Sequence, residues 1–299
     1  MRVIVLGIDG LDADLVLRWR LKAFMQQYYG THDVRVAVKP GDPLYTPLIW
    51  AAFLLGKPAY LYGFDHKLIA MRRARIGYGF PEIFYKIRIK LFGTRKLGIR
   101  PLLLKLKLYD IKKIVAKAYE IEALPREALK DTLPEIAKNS GYKVWVREFP
   151  SYNDFKCAEW RAKASEFIGI PTKDILKELE KRYQYSIELL QNVIESIENH
   201  DLVLYYTPVI DWANHKFYKL DNLKYITILA AYYKKVERSL SDLLKRVRRS
   251  AVLILSDHGF DPVRQEHSDH GFWSLNIKPP RIPKTILDFK NIILELLDL

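Results

Sequence analysis

Two apolar runs in this sequence end on an aspartate, and that pairing narrows the folds open to the chain. Val3-Ile4-Val5-Leu6-Gly7-Ile8 runs into Asp9-Gly10, and Val252-Leu253-Ile254-Leu255-Ser256 runs into Asp257-His258-Gly259. Short Val/Ile/Leu runs without polar alternation read as strands covered on both faces, the mark of a parallel sheet between helices. In open sheets of this kind, ligand sites collect at the carboxyl ends of the strands. Further strand-length runs occur at 34–38, 142–146 and 202–206. Helical patterns at 126–138, 172–197 and 223–249 separate several of them, with Asn139-Ser140-Gly141 closing the first. The fold expected is α/β, a three-layer αβα sandwich around a mainly parallel sheet.

The chain of 299 residues is 49% apolar and 28% charged, enough apolar material for a substantial core. Its one cysteine, Cys157, excludes an intrachain disulfide and a thiolate metal cluster, and reads as a small, half-buried apolar residue. Met1-Arg2 leads directly into a strand pattern, and no apolar run approaches the ~18 residues of a membrane span. A soluble, cytoplasmic protein is expected. The net charge of +14 is concentrated: residues 67–117 carry 15 Lys or Arg against Glu82 and Asp110 alone. Residues 67–119 therefore read as a basic insertion on a core built from 1–66 and 120–299. Within it, cations alternate with apolar residues at 83–91 and 102–108, a period near two that gives a ribbon one charged and one apolar face. With Tyr78, Phe80, Phe84 and Tyr85, that ribbon could contact an anionic polymer or a membrane surface. The plainer reading is a solvated face whose apolar side packs on the core.

Asp211 and His215 follow the 202–206 run at a spacing of four, which on a helical turn puts both on one face. His258, His267 and His270 crowd after the last run, whereas His32, His66 and His200 fall in expected loops and receive no role. Two donor sets result, Asp9 with Asp257 and His258, and Asp211 with His215 and His267. Mixed imidazole and carboxylate donors suit Zn²⁺ best, with Mn²⁺ or Fe as alternatives. A pair of such ions points to in-line displacement at phosphorus. A nucleophile is available at Thr46, which reads as the N-cap of a helix with Pro47 in its first position and Gly56 closing it. A helix N-terminus favours a phosphate, and a neighbouring cation would make the hydroxyl a nucleophile.

Gly7-Ile8-Asp9-Gly10, Thr46-Pro47 with Trp50-Ala51, Phe53-Leu54 and Gly56, Asp211 with His215, Ser256-Asp257-His258-Gly259 and the histidine after it resemble the alkaline phosphatase superfamily in order. They are most similar to its type I phosphodiesterase/nucleotide pyrophosphatase branch. The resemblance implies an αβα sandwich, two divalent ions and a covalent phospho-threonine at Thr46, acting on a phosphodiester or nucleotide-like substrate. It places Asp9, Asp257 and His258 on the nucleophile-side ion, and Asp211, His215 and a late histidine on the other. The spacing to Gly271 favours His267 for that last place, and His270-Gly271-Phe272 makes His270 the alternative. Tyr62 stands where the family commonly has a histidine that is not a ligand. The loop Phe149-Pro150-Ser151-Tyr152-Asn153 matches only loosely, with Tyr152 as an expected substrate contact. Asn214 is expected either to reach a phosphoryl oxygen or to be a turn residue. The alternatives are a phosphomutase or phosphonate hydrolase of the same superfamily, against which Thr46 in place of Ser argues, and a non-catalytic binder of nucleic acid or membrane surface through 67–117. A sulfatase would need a C/S-x-P-x-R element that Thr46-Pro47-Leu48 lacks.

Overall fold

The computed structural model describes residues 1–78, 110–163, 170–247 and 249–299. Its main sheet has six strands in the order β2 (Tyr28–Asp33), β8 (His270–Leu275), β5 (Ala251–Leu255), β1 (Val3–Ile8), β4 (Leu202–Thr207) and β3 (Val144–Val146). β1 pairs in parallel with both β4 and β5, and β3 pairs in parallel with β4. β8 runs antiparallel to both of its neighbours, so it alone opposes the direction of the other five. A small hairpin, β6 (Phe260–Asp261) with β7 (Glu266–His267), stands beside the sheet.

Side-chain alternation along the three central strands explains the layers. Ile4, Leu6, Ile8, Val203, Tyr205, Val252 and Ile254 enter one buried cluster with the long helices Thr172–Ser196 and Leu223–Arg246. Val3, Val5, Leu202, Leu204, Leu253 and Leu255 enter a second, on the opposite face, with the helices Thr46–Leu55, Leu133–Asn139 and Asp288–Leu296. The mixed α/β architecture with a mostly parallel sheet is thus the expected one. A third apolar cluster joins Leu48, Ala51 and Leu55 to Ile69, Ile114 and Ile121. Through it the helices at the two ends of the basic segment, His66–Tyr78 and Ile111–Ala116, pack on the core. The ribbons expected at 83–91 and 102–108 lie outside the described residues.

Local features differ from the sequence reading for physical reasons. The run at 34–38 is a 3₁₀ turn, and the strand is Tyr28–Asp33 just before it. Asp33 ends that strand by accepting the Arg35 amide on its side chain at 2.8 Å, a turn that the carboxylate stabilises locally. His32 is therefore on a strand rather than in a loop, buried against Phe289. The helix expected at 126–138 is two, Arg126–Leu129 and Leu133–Asn139, because Pro134 can sit only in the first turn of a new helix. Cys157 is fully buried on the Lys156–Lys163 helix rather than half-buried. Among the described residues no helix is long and apolar enough to cross a membrane.

Gly271 shows how tightly the last strand is fitted. A Cβ there would lie 2.4 Å from the Ser256 carbonyl oxygen and 2.6 Å from the His32 ring. The carbonyl belongs to the backbone that leads into Asp257, so it cannot simply swing away. Gly271→Ala is expected to lose about 2–3 kcal/mol through overpacking, read as a lower urea midpoint; an unshifted midpoint would refute this packing.

Candidate active site

The site forms where β1, β4 and β5 end together. Gly7 pairs with Tyr206 on one side and Leu255 on the other, so the chain leaves all three strands at one level. Asp9 follows β1, Asp257 and His258 follow β5, and Asp211 and His215 lie on the helix Val209–Phe217 directly after β4. Gly10 makes this convergence feasible. Its φ of +68° suits glycine, and a Cβ there would lie 2.8 Å from the Asp211 Cα. The same turn is held by the Gly10 amide donating to Asp257 Oδ1 at 3.3 Å and by Asn214 Nδ2 donating to the Gly10 carbonyl at 2.6 Å.

Two groups of donor atoms result. In the inner one, His258 Nε2 lies 3.3 Å from Asp9 Oδ1 and 3.3 Å from Asp257 Oδ2, all three residues buried. In the outer one, Asp211 Oδ1 lies 3.4 Å from His215 Nε2 and 3.6 Å from His267 Nε2, and the two imidazole nitrogens are 2.9 Å apart. His215 is 39% exposed there, against 0% for His258. The groups touch through the rings of His258 and His267, stacked with centroids 3.6 Å apart. The structure thus brings together all six residues of the two expected sets, with His267 rather than the exposed His270 beside Asp211 and His215.

The donor chemistry fits divalent ions. Asp257 Oδ2 and Asp211 Oδ1 are buried without a hydrogen-bond partner among the described residues, a costly state for a carboxylate with no cation nearby. Burial, followed by the negative charge of Asp9, pushes both carboxyls above the usual carboxylate range. Burial also lowers His215, to about 4, and lowers His267, keeping both imidazoles neutral and able to ligate. His258 Nδ1 faces the Gly259 carbonyl at 2.9 Å; a carbonyl only accepts, so Nδ1 carries a proton and Nε2 is the ring nitrogen directed at the site. Two ligand bonds of about 2.1 Å at a tetrahedral angle set donors roughly 3.4 Å apart, close to the carboxylate–imidazole separations of both groups, while the two outer imidazoles stand nearer at 2.9 Å.

Thr46 is the first residue of its helix, which starts one residue earlier than expected; Tyr45 is the cap and makes no side-chain capping bond. Its hydroxyl is consequently not used on the helix backbone. Thr46 Oγ1 lies 3.5 Å from Asp9 Oδ1 and 3.4 Å from His258 Nε2, against the inner group. Tyr206 is a contributor that sequence reasoning missed. Its hydroxyl donates to Asp9 Oδ2 at 2.5 Å, and its ring packs edge-on against Trp50 of the Thr46 helix. The alternation along β4 was the available signal, since it turns Tyr206 to the face of the Thr46 helix.

Two expected substrate contacts are occupied elsewhere. Asn214 is fully buried, donating to Gly10 and accepting from the Tyr233 hydroxyl at 3.1 Å, so its amide holds the Gly10 turn. The Tyr152 hydroxyl is bonded to Glu135 and, at 2.7 Å, to Lys138.

Residues 118–276, just over half of the chain, match the family described as Type I phosphodiesterase / nucleotide pyrophosphatase. The match contains Asp211, His215, Asp257, His258 and His267; Asp9 and Thr46 lie before it and join these residues through the fold. No curated protein matches the chain. Among solved structures, a putative sulfatase from Bacteroides thetaiotaomicron is 10% identical with a TM-score of 0.52, covering 100% of this chain and 71% of that one, a likeness of fold. The PH0037 protein from Pyrococcus horikoshii is 14% identical with a TM-score of 0.45, and covers 99% of this chain and 97% of that one. An alkaline phosphatase from the Antarctic bacterium TAB5 is 11% identical with a TM-score of 0.45 and the same two coverages. The chain belongs to the type I phosphodiesterase / nucleotide pyrophosphatase family, within the alkaline phosphatase superfamily.

Proposed function

We propose that the chain is a two-metal phosphodiesterase that acts through a covalent phospho-threonine at Thr46. Family membership supports phosphoric-ester hydrolysis. The finer reading is carried by one observation: the Thr46 hydroxyl, free of any capping duty, faces Asp9 and His258 at 3.5 and 3.4 Å. Divalent ions, Zn²⁺ by preference, would be held by Asp9, Asp257 and His258 and by Asp211, His215 and His267, and would supply the positive charge that acidifies a hydroxyl and neutralises a phosphoryl group.

This chain's own groups do the rest. Tyr206 fixes Asp9 through Oδ2, leaving Oδ1 toward Thr46. Thr46 Oγ1 attacks phosphorus, so the Oγ1–P bond forms as the bond to the leaving oxygen breaks. The threonine proton leaves by way of Asp9 Oδ1, toward which the hydroxyl donates, and the leaving oxygen takes one up. Water then breaks the Oγ1–P bond and restores the hydroxyl. The outer group, with His215 partly exposed, stands where water enters. The segment 67–119 serves as a basic insertion on the core of 1–66 and 120–299, drawing anionic substrates to the site by charge.

Thr46→Ala is expected to lower kcat/KM on bis-p-nitrophenyl phosphate by at least about 10³-fold, as loss of a nucleophile does elsewhere, at unchanged metal content. Mass spectrometry of acid-quenched wild type should find the phosphoryl adduct on Thr46. Undiminished turnover by the alanine variant would remove the covalent mechanism.

The metal assignment makes a second prediction through linkage. Carboxyls held above their unfolded values stabilise the fold below the usual carboxylate range, and that stability is lost as pH rises through the folded values. The neutral histidines act oppositely, but only below about pH 6.5. Chelated protein should therefore lose thermal stability from about pH 6.5 to 8.5. Added Zn²⁺ or Mn²⁺ should raise Tm most at the upper end, and equal Tm gains across that range would count against the ligand sets.

A further inference from the structure

Glu122, Arg161 and Asp154 lie buried beside the Thr46 helix and belong to neither donor group. Arg161 Nε and Nη2 donate to Glu122 Oε2 at 3.0 and 2.8 Å, and Nη2 also reaches Asp154 Oδ2. The second oxygen of Glu122 accepts from the Tyr45 hydroxyl and from Arg73 Nη2 at 3.5 Å. Tyr45 is the residue before Thr46 and caps its helix. On the other side, the buried Ser151 hydroxyl donates to the Pro47 carbonyl at 2.7 Å. Thr46 is thereby gripped through both of its chain neighbours.

Fold stability gives little reason for such a network. Glu122 and Asp154 are 3% and 1% exposed and Arg161 11%, so three charged groups have left water. Well-packed apolar residues often do as well or better in that place. The network therefore reaches the site by hydrogen bonds, from Arg161 through Glu122 to Tyr45.

We infer that Glu122 and Arg161 are positioning residues that set the Thr46 hydroxyl for attack by way of Tyr45. The inference rests on Thr46 being the nucleophile. Tyr45→Phe cuts the link and leaves the ion network whole; Arg161→Met removes the charge but strands two acids, and Arg161→Lys restores part of it. Since misplacement by about 1 Å can cost 10²-fold, Tyr45→Phe is expected to slow single-turnover phosphorylation of Thr46, and kcat on bis-p-nitrophenyl phosphate, by about 10- to 100-fold. KM, metal content and Tm should stay at wild-type values, and Arg161→Lys should fall between wild type and Arg161→Met. Wild-type phosphorylation rates in Tyr45→Phe, or a loss that only tracks a fall in Tm or metal content, would overturn the inference. A wild-type enzyme that never labels Thr46 would instead remove the nucleophile reading, and the positioning role with it.

Discussion

Three aspartates, Asp9, Asp211 and Asp257, converge at one end of the sheet, and their mutual repulsion in a buried setting is what the surrounding structure has to accommodate. Each comes from a different strand end, and the level register of β1 with β4 and β5 leaves them no room to separate. Two of the carboxyls are raised by burial and by the third aspartate's charge. Such a cluster settles either by holding protons or by holding cations. The neighbouring imidazoles favour cations: His215 and His267 are held neutral, and His258 directs Nε2 inward between two carboxylates. Gly10, Asn214 and Tyr206 then follow as the parts that keep the carboxylates close despite their repulsion.

How much of this was legible in the sequence depended on how local the signal was. The central strands could be read because aliphatic residues fill both of their faces, and five of the donor residues stood out because they come soon after those strands, while His267, on the later hairpin, stood out by its spacing to Gly271. β2 was hidden because Tyr28-Tyr29-Gly30-Thr31-His32-Asp33 is an edge strand in which only His32 is buried, so its hydropathy is that of a loop. β8 was hidden by its own chemistry, since His270-Gly271 reads as part of a histidine-rich loop while its Trp273 and Leu275 pack in the core. Glu122 and Arg161 are 39 positions apart, and no periodicity joins an acid and a base across that span.

Thr46 shows where local reading ended. Thr-Pro before an apolar run predicts a cap, and a cap would commit the hydroxyl to the helix backbone. The helix starts one residue early, on Thr46 itself, and Tyr45 takes the capping position without a side-chain bond. That shift of one residue frees the hydroxyl for Asp9 and His258. It also places Tyr45 where Glu122 can hold it, so one change of helix start serves both the proposed nucleophile and its proposed support.

The two donor groups differ in depth, and the difference suits the two halves of the proposed phospho-threonine cycle. Attack by Thr46 requires a hydroxyl held still and kept from water, and the inner group beside it is wholly buried. Release of the covalent product requires water to arrive, and the outer group opens to solvent at His215. The stacked rings of His258 and His267 set the groups one ring apart, so a single phosphoryl group lying across them could meet a dry nucleophile on one side and solvent on the other. A single fully buried set would protect the first step and starve the second. Splitting the donors between the buried strand ends and the helix Val209–Phe217, whose His215 meets solvent, would let one crevice serve both proposed steps.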